Sequence, residues 1–139
     1  MPKDIKIVQV DPDTREVYLS MPIIPVYAQG MDLLIQIVAL AYLSNPGQDL
    51  NDIGGGSGVR DVIGQIDVVG EDQLTADFLT RTAKIESEII NYQENESIPA
   101  SERLKSLTVK GVEIDADQLE MRARVKIENQ SGQSRVVQV

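Results

Sequence analysis

Three groups of residues in this chain have types and spacings suited to chemistry. Gly54, Gly55, Gly56 and Gly58 precede Val59, Arg60, Asp61, Val62 and Ile63, a short helical stretch, and backbone N–H groups at such a helix start can cradle a phosphate. A Walker loop requires Lys directly after its last Gly, whereas Val59 follows Gly58. A dinucleotide fingerprint begun at Gly54 and Gly56 requires Gly at 59, again Val. The cluster therefore reads as a structural turn that uses the permissive glycine backbone. Asp49, Asn51 and Asp52 resemble the opening of a calcium loop, but the fifth loop position is Ile53 and the twelfth, where a bidentate Glu belongs, is Arg60. Capping of a turn is the better reading. Paired carboxylates suffice for glycoside hydrolysis, yet Glu86 and Glu88 sit two apart on a helix and point apart, while Glu94, Glu96 and Glu102 lie near a loop that gives little burial to raise a pKa.

Composition narrows the chemistry further. The chain has no Cys and no His, so thiol chemistry, disulfides, histidine-based zinc ligation and imidazole acid–base catalysis are excluded together. Thirteen basic and 22 acidic residues give a formal charge of −9, which opposes binding to nucleic acid or an anionic membrane. No Trp, one Phe and four Tyr leave an aliphatic core and little surface for stacking ligands. No cofactor is expected. At 139 residues the chain is the size of one domain. The apolar run at 33–43 falls short of the ~20 residues of a membrane span, and the first ten residues hold no apolar signal core. A soluble, unexported protein is expected.

The elements that would position these residues follow from periodicity. Residues 5–10 and 15–20 alternate around Asp11-Pro12-Asp13-Thr14 and predict a hairpin. Pro22 and Pro25 make the next stretch an extended connector. Met31–Leu43 has only Asp32 and Gln36 as strongly polar residues, a helix whose faces nearly all meet protein, and Asn45-Pro46-Gly47 stops it. A long helix is predicted over 72–95, with Asp72 as its cap and a stripe of Leu74, Phe78, Ile85, Ile89 and Tyr92. From Arg103 the period becomes two. Leu107, Val109, Val112 and Ile114 face inward across a bulge at Lys110-Gly111, and Leu119, Met121, Ala123, Val125 and Ile127 alternate with charged residues, among them the basic Arg122, Arg124 and Lys126. Asn129-Gln130-Ser131-Gly132 closes a second hairpin into a strand at 134–139. The predicted class is α+β, helices packed on a small antiparallel sheet, with an N-terminal hairpin and arm at 1–29 and the main domain at 30–139. The last strand carries little charge besides Arg135. It is either an ordinary edge or one completed by a partner's strand.

The order of these pieces resembles a known family. An N-terminal arm, an apolar Leu-Leu-Ile-Gln helix, an Asn-Pro-Gly stop, a glycine-rich turn with Val-Arg-Asp-Val-Ile-Gly, a long helix and Ser-Glu-Arg-Leu-Lys-Ser-Leu-Thr-Val opening a meander are similar to the sheath initiators of contractile phage tails, long labelled tail-lysozyme-like baseplate wedge proteins. The resemblance covers about residues 30–139. The family's Glu-Pro-Arg tripeptide aligns with Ser101-Glu102-Arg103, of which Arg103 matches, followed by Leu104, Leu107 and Val109. It implies a virion protein, assembled in the host cytoplasm, that docks on baseplate wedge proteins through Glu102, Arg103 and Leu104. It further implies that the sheath protein pairs with Ser134, Arg135, Val136, Val137, Gln138 and Val139, without catalysis. Removal of residues 134–139 is then expected to leave a folded domain that cannot start a sheath. The arm before residue 30 either reaches the tail tube or a wedge neighbour, or folds back on its own domain. The alternatives are a small peptidoglycan hydrolase, suggested by the historical label, and a tail-end adaptor without a sheath.

Overall fold

The computed structural model describes residues 4–20, 26–43, 70–115, 117–118 and 120–139. The glycine cluster, the acidic residues ahead of it, the short helix after it, the Asn-Pro-Gly stop and the proline connector lie outside the described residues. Strand β1 (Asp4–Ile5) pairs antiparallel with β4 (Tyr27–Ala28), and β2 (Val8–Val10) with β3 (Val17–Leu19). Helices α1 (Met31–Leu43) and α2 (Glu71–Glu94) follow, then β5 (Leu104–Asp115), β6 (Glu120–Asn129) and β7 (Ser134–Gln138). These last three form an antiparallel sheet in the order β5-β6-β7. The fold is the expected small α+β.

Each element follows from its local chemistry. The first hairpin turns because the Asp11 carboxylate accepts the Asp13 and Thr14 N–H groups, which also hold its pKa below the ordinary carboxylate value. On β6 the strict alternation buries Ala123, Val125, Ile127 and Asn129 and turns the charged residues outward. The basic residues there are largely paired, Arg122 with Glu120 at 3.2 Å and Lys126 with Glu128 at 3.6 Å. The register of β5 slips between Val109 and Gly111, the bulge expected at Lys110, and again between Leu104 and Ser106. Arg124 lies over Gly111, where a Cβ would stand 3.3 Å from its guanidinium.

Helix α2 corrects two expectations. Gly70, with extended backbone, is the cap residue, and Asp72 lies inside the first turn, where its charge still faces the positive helix end. Leu74, Phe78, Ile85 and Ile89 are buried, but Tyr92 is 71% exposed and Gln93 takes its place at 2%. The stripe is completed by polar residues because each satisfies a buried group. Gln93 donates to the Glu102 carbonyl and accepts from Leu104 N–H at 2.7 Å, and Glu86 accepts from Leu107 N–H. Helix side chains thereby satisfy the backbone at the start of β5, an edge strand.

One core draws on the first hairpin, both described helices and the three-stranded sheet. Val8 of the hairpin, the inner face of α1, Phe78, Ile85 and Ile89 of α2, and Leu107, Val125, Ile127 and Val137 of the sheet form one cluster. The described hairpin residues before 30 therefore pack on the domain, with Val8 in its core and Ile7, Val10 and Val17 against it. Gln36, buried mid-helix, accepts from Ile7 and Val8 N–H and donates to the Ile5 carbonyl, which clamps the hairpin to α1.

Tyr42 stacks on Phe78 at 5.7 Å and shares a 2.8 Å hydrogen bond with Thr82. Burial raises its pKa from 10.0 to about 12. The folded state holds this proton more tightly than the unfolded chain does. Its contribution is therefore full below pH 10 and is lost as pH rises toward 12. Tyr42→Phe is expected to flatten the fall of urea-measured stability across that window. An unchanged alkaline slope would assign the effect elsewhere.

Candidate functional site

The residues implied in wedge docking have distinct surroundings. Leu104 is 1% exposed within the core. Glu102 is buried, and its carboxylate accepts from Gly30 N–H at 3.0 Å, which anchors the start of α1. Both side chains are engaged inside the domain, so neither offers a docking surface. Arg103 is half-buried; it donates to the Glu96 carbonyl at 3.0 Å, and its buried Nε has no hydrogen-bond partner among the described residues. The loop is held from below by buried Asn129, which donates to the Ser101 carbonyl, while Gln130 N–H donates to the Arg103 carbonyl.

The C-terminal strand divides by parity. Ala123 and Val139 exchange both backbone hydrogen bonds, at 3.0 and 2.8 Å. Antiparallel alternation then turns the backbone groups of Arg135, Val137 and Val139 toward β6, and those of Ser134, Val136 and Gln138 outward. Val137 is buried at 1%, and Val139 packs against the core. Arg135 reaches Asp32 at 3.3 Å, and Lys6 meets the same carboxylate at 3.1 Å, so β7, α1 and the residue after β1 share one charge cluster. Ser134 and Val136 remain exposed on the outer edge.

The far end of that edge is closed by an unanticipated contact. Gln138 N–H donates to the Arg15 carbonyl at 2.8 Å, its side chain donates to Glu16, and Glu16 bridges Gln138 in parallel orientation. Arg15 adopts φ 64°, a left-handed conformation uncommon for a residue with a side chain. Glu16 and Gln138 are 122 positions apart, and no local pattern in either segment announces their meeting.

Three of the carboxylates considered for hydrolysis each have a partner of their own. Glu86 serves Leu107 N–H, Glu102 serves Gly30 N–H, and Glu88 pairs with Lys84 at 3.6 Å. Among the described residues no helix is long and apolar enough to cross a membrane. In comparison with known proteins, no family model matches the chain, and no curated protein or solved structure shows significant similarity to it.

Proposed function

We propose that this chain is a structural component of a contractile-tail baseplate, a sheath initiator that docks on wedge proteins near Arg103 and starts the first sheath ring by strand pairing at β7. The proteins it joins are the baseplate wedge and the sheath subunit. The particle is assembled in the host cytoplasm, and the protein remains in the virion baseplate. The observation that carries this reading is the outer edge of β7, where Ser134 and Val136 turn their N–H and C=O groups away from β6 and Val136 is 38% exposed. Main-chain bonds on such an edge supply affinity without chemistry, and the alternation of side chains sets register.

Proline at position 136 isolates this role. The Val136 N–H points outward, so proline removes a donor offered to a partner while leaving the β6 ladder intact. Val136→Pro is expected to yield a folded protein and tube–baseplate particles without sheath, scored by electron microscopy. Normal sheathed tails, or clearing of cell walls by the purified wild-type chain, would overturn the proposal.

A further inference from the structure

The base and the tip of the first hairpin are held differently. At the base, Gln36 binds the Ile7 and Val8 N–H groups and the Ile5 carbonyl, Ser20 N–H donates to the Ile7 carbonyl at 2.8 Å, and Val8 lies in the core. These bonds fix where the hairpin sits. At the tip, Asp13, Thr14, Arg15 and Glu16 are exposed. Among the described residues, two hydrogen bonds join them to β7, both at Gln138: its N–H donates to the Arg15 carbonyl at 2.8 Å, and its side-chain amide donates to Glu16 at 3.2 Å. Contacts so open to water are the first to break in local fluctuations.

The tip also carries strain. Its turn is closed by the bonds from Arg15 N–H to the Asp11 carbonyl at 2.9 Å and from Asp11 N–H to the Glu16 carbonyl at 2.8 Å, with Arg15 at φ 64°. Glycine takes such a backbone at no steric cost, whereas arginine does not. The strain lasts only while the turn is formed, so it favours opening. What the tip covers is the end of an edge. Strand β7 turns Ser134, Val136 and Gln138 outward, and the Arg15 carbonyl occupies the Gln138 donor. With the tip in place a partner strand meets only residues 134–136, the lower limit of strand length; with the tip away it meets all five residues of β7, close to the commonest length. Glu16 already lies across Gln138 in parallel orientation, in the position that a longer partner ladder requires.

We infer that the hairpin tip is an autoinhibitory clasp on β7. Closed, it limits the strand-pairing edge to Ser134 and Val136; open, it releases Gln138 and gives a partner strand the whole of β7. A closed clasp also blunts an edge that would otherwise invite unwanted pairing. Its base stays anchored through Val8 and Gln36 while the tip opens. This control rests on the reading of β7 as the sheath-pairing edge, and it places regulation of that pairing in the N-terminal hairpin.

Amide hydrogen exchange on the full chain tests the clasp without any partner. The Gln138 amide is expected to exchange at least about tenfold faster than that of Val137, which bonds β6. Arg15→Gly, at an exposed position, is expected to slow it about five- to tenfold by relieving the left-handed strain. Equal exchange at Gln138 and Val137, or no change in Arg15→Gly, would overturn the inference. Glu16→Cys combined with Gln138→Cys then locks the clasp, because the chain has no cysteine of its own. With sheath subunits and tube–baseplate particles in vitro, the oxidised pair is expected to give bare tubes and the reduced pair sheathed ones, while the unaltered chain gives sheath under both conditions. Sheath from the pair in both states, sheath in neither, or a pair that does not oxidise would count against the clasp. Val136→Pro keeps the two readings apart. Sheathed tails from that variant sink the pairing edge, whereas exchange at Gln138 still decides whether the tip opens.

Discussion

Gln36→Leu is expected to destabilise the domain by about 2 to 5 kcal/mol, although leucine suits an apolar helix and has nearly the same volume. The side chain serves three backbone groups at once, accepting from Ile7 at 2.9 Å and Val8 at 3.2 Å and donating to the Ile5 carbonyl at 3.1 Å. Leucine offers none of these bonds, and each buried group left unpaired costs about 1–3 kcal/mol. Ile5 is 43% exposed, so water can replace part of the loss at its carbonyl, whereas Val8 is 4% exposed and has no such recourse. For a domain of this size the melting temperature should fall on the order of 10 °C. The Ile7 and Val8 amides should also exchange faster than those of β6. A loss below about 0.5 kcal/mol, the range of an ordinary surface substitution, would show that the hairpin is held by its apolar contacts alone.

Val137→Asp is expected to abolish folding, and removal of residues 134–139 should do the same. Val137 is 1% exposed and pairs with Val125, itself fully buried, beside Ile127. Losing the buried valine costs about 1.5–3 kcal/mol, and an unpaired carboxylate there adds a desolvation penalty of several kcal/mol. The sum is comparable with the whole stability of a domain, about 5–15 kcal/mol. Truncation also removes the Val139–Ala123 bonds, the Arg135–Asp32 pair and the Gln138–Arg15 bond. With Val137 in the core, loss of the last six residues is expected to unfold the domain rather than to leave it folded. Circular dichroism and one-dimensional NMR should show an unfolded chain for both variants and native dispersion for Val136→Pro. Adjacent positions thus have opposite consequences, and a folded truncation would refute the placement of Val137 in the core.

Periodicity made much of the architecture legible. The thirteen residues of α1 coincide with the apolar run, β6 follows its alternation, and the Lys110 bulge falls where the inward positions change parity. Those features are local, set by the 3.6-residue and two-residue repeats. Polar residues on buried faces were less legible. Gln93 displaces Tyr92 from the stripe of α2 because a backbone pair at the start of β5 needs a donor and an acceptor, and only the packed structure brings that pair to the helix.

The same division runs through the candidate sites. Sequence by itself determined that acid–base chemistry through His or Cys is absent, that the chain is strongly acidic, and that a valine-rich strand lies at residues 134–139. Tertiary structure decided which faces of that strand remain available: Val137 is buried, Val136 turns outward, and Gln138 is closed by Arg15. It also decided that Leu19 and Met121 line one groove. The reason is physical. Alternation assigns a side chain to one face or the other, but whether an edge is covered depends on contacts between segments far apart in sequence, and no local repeat encodes those.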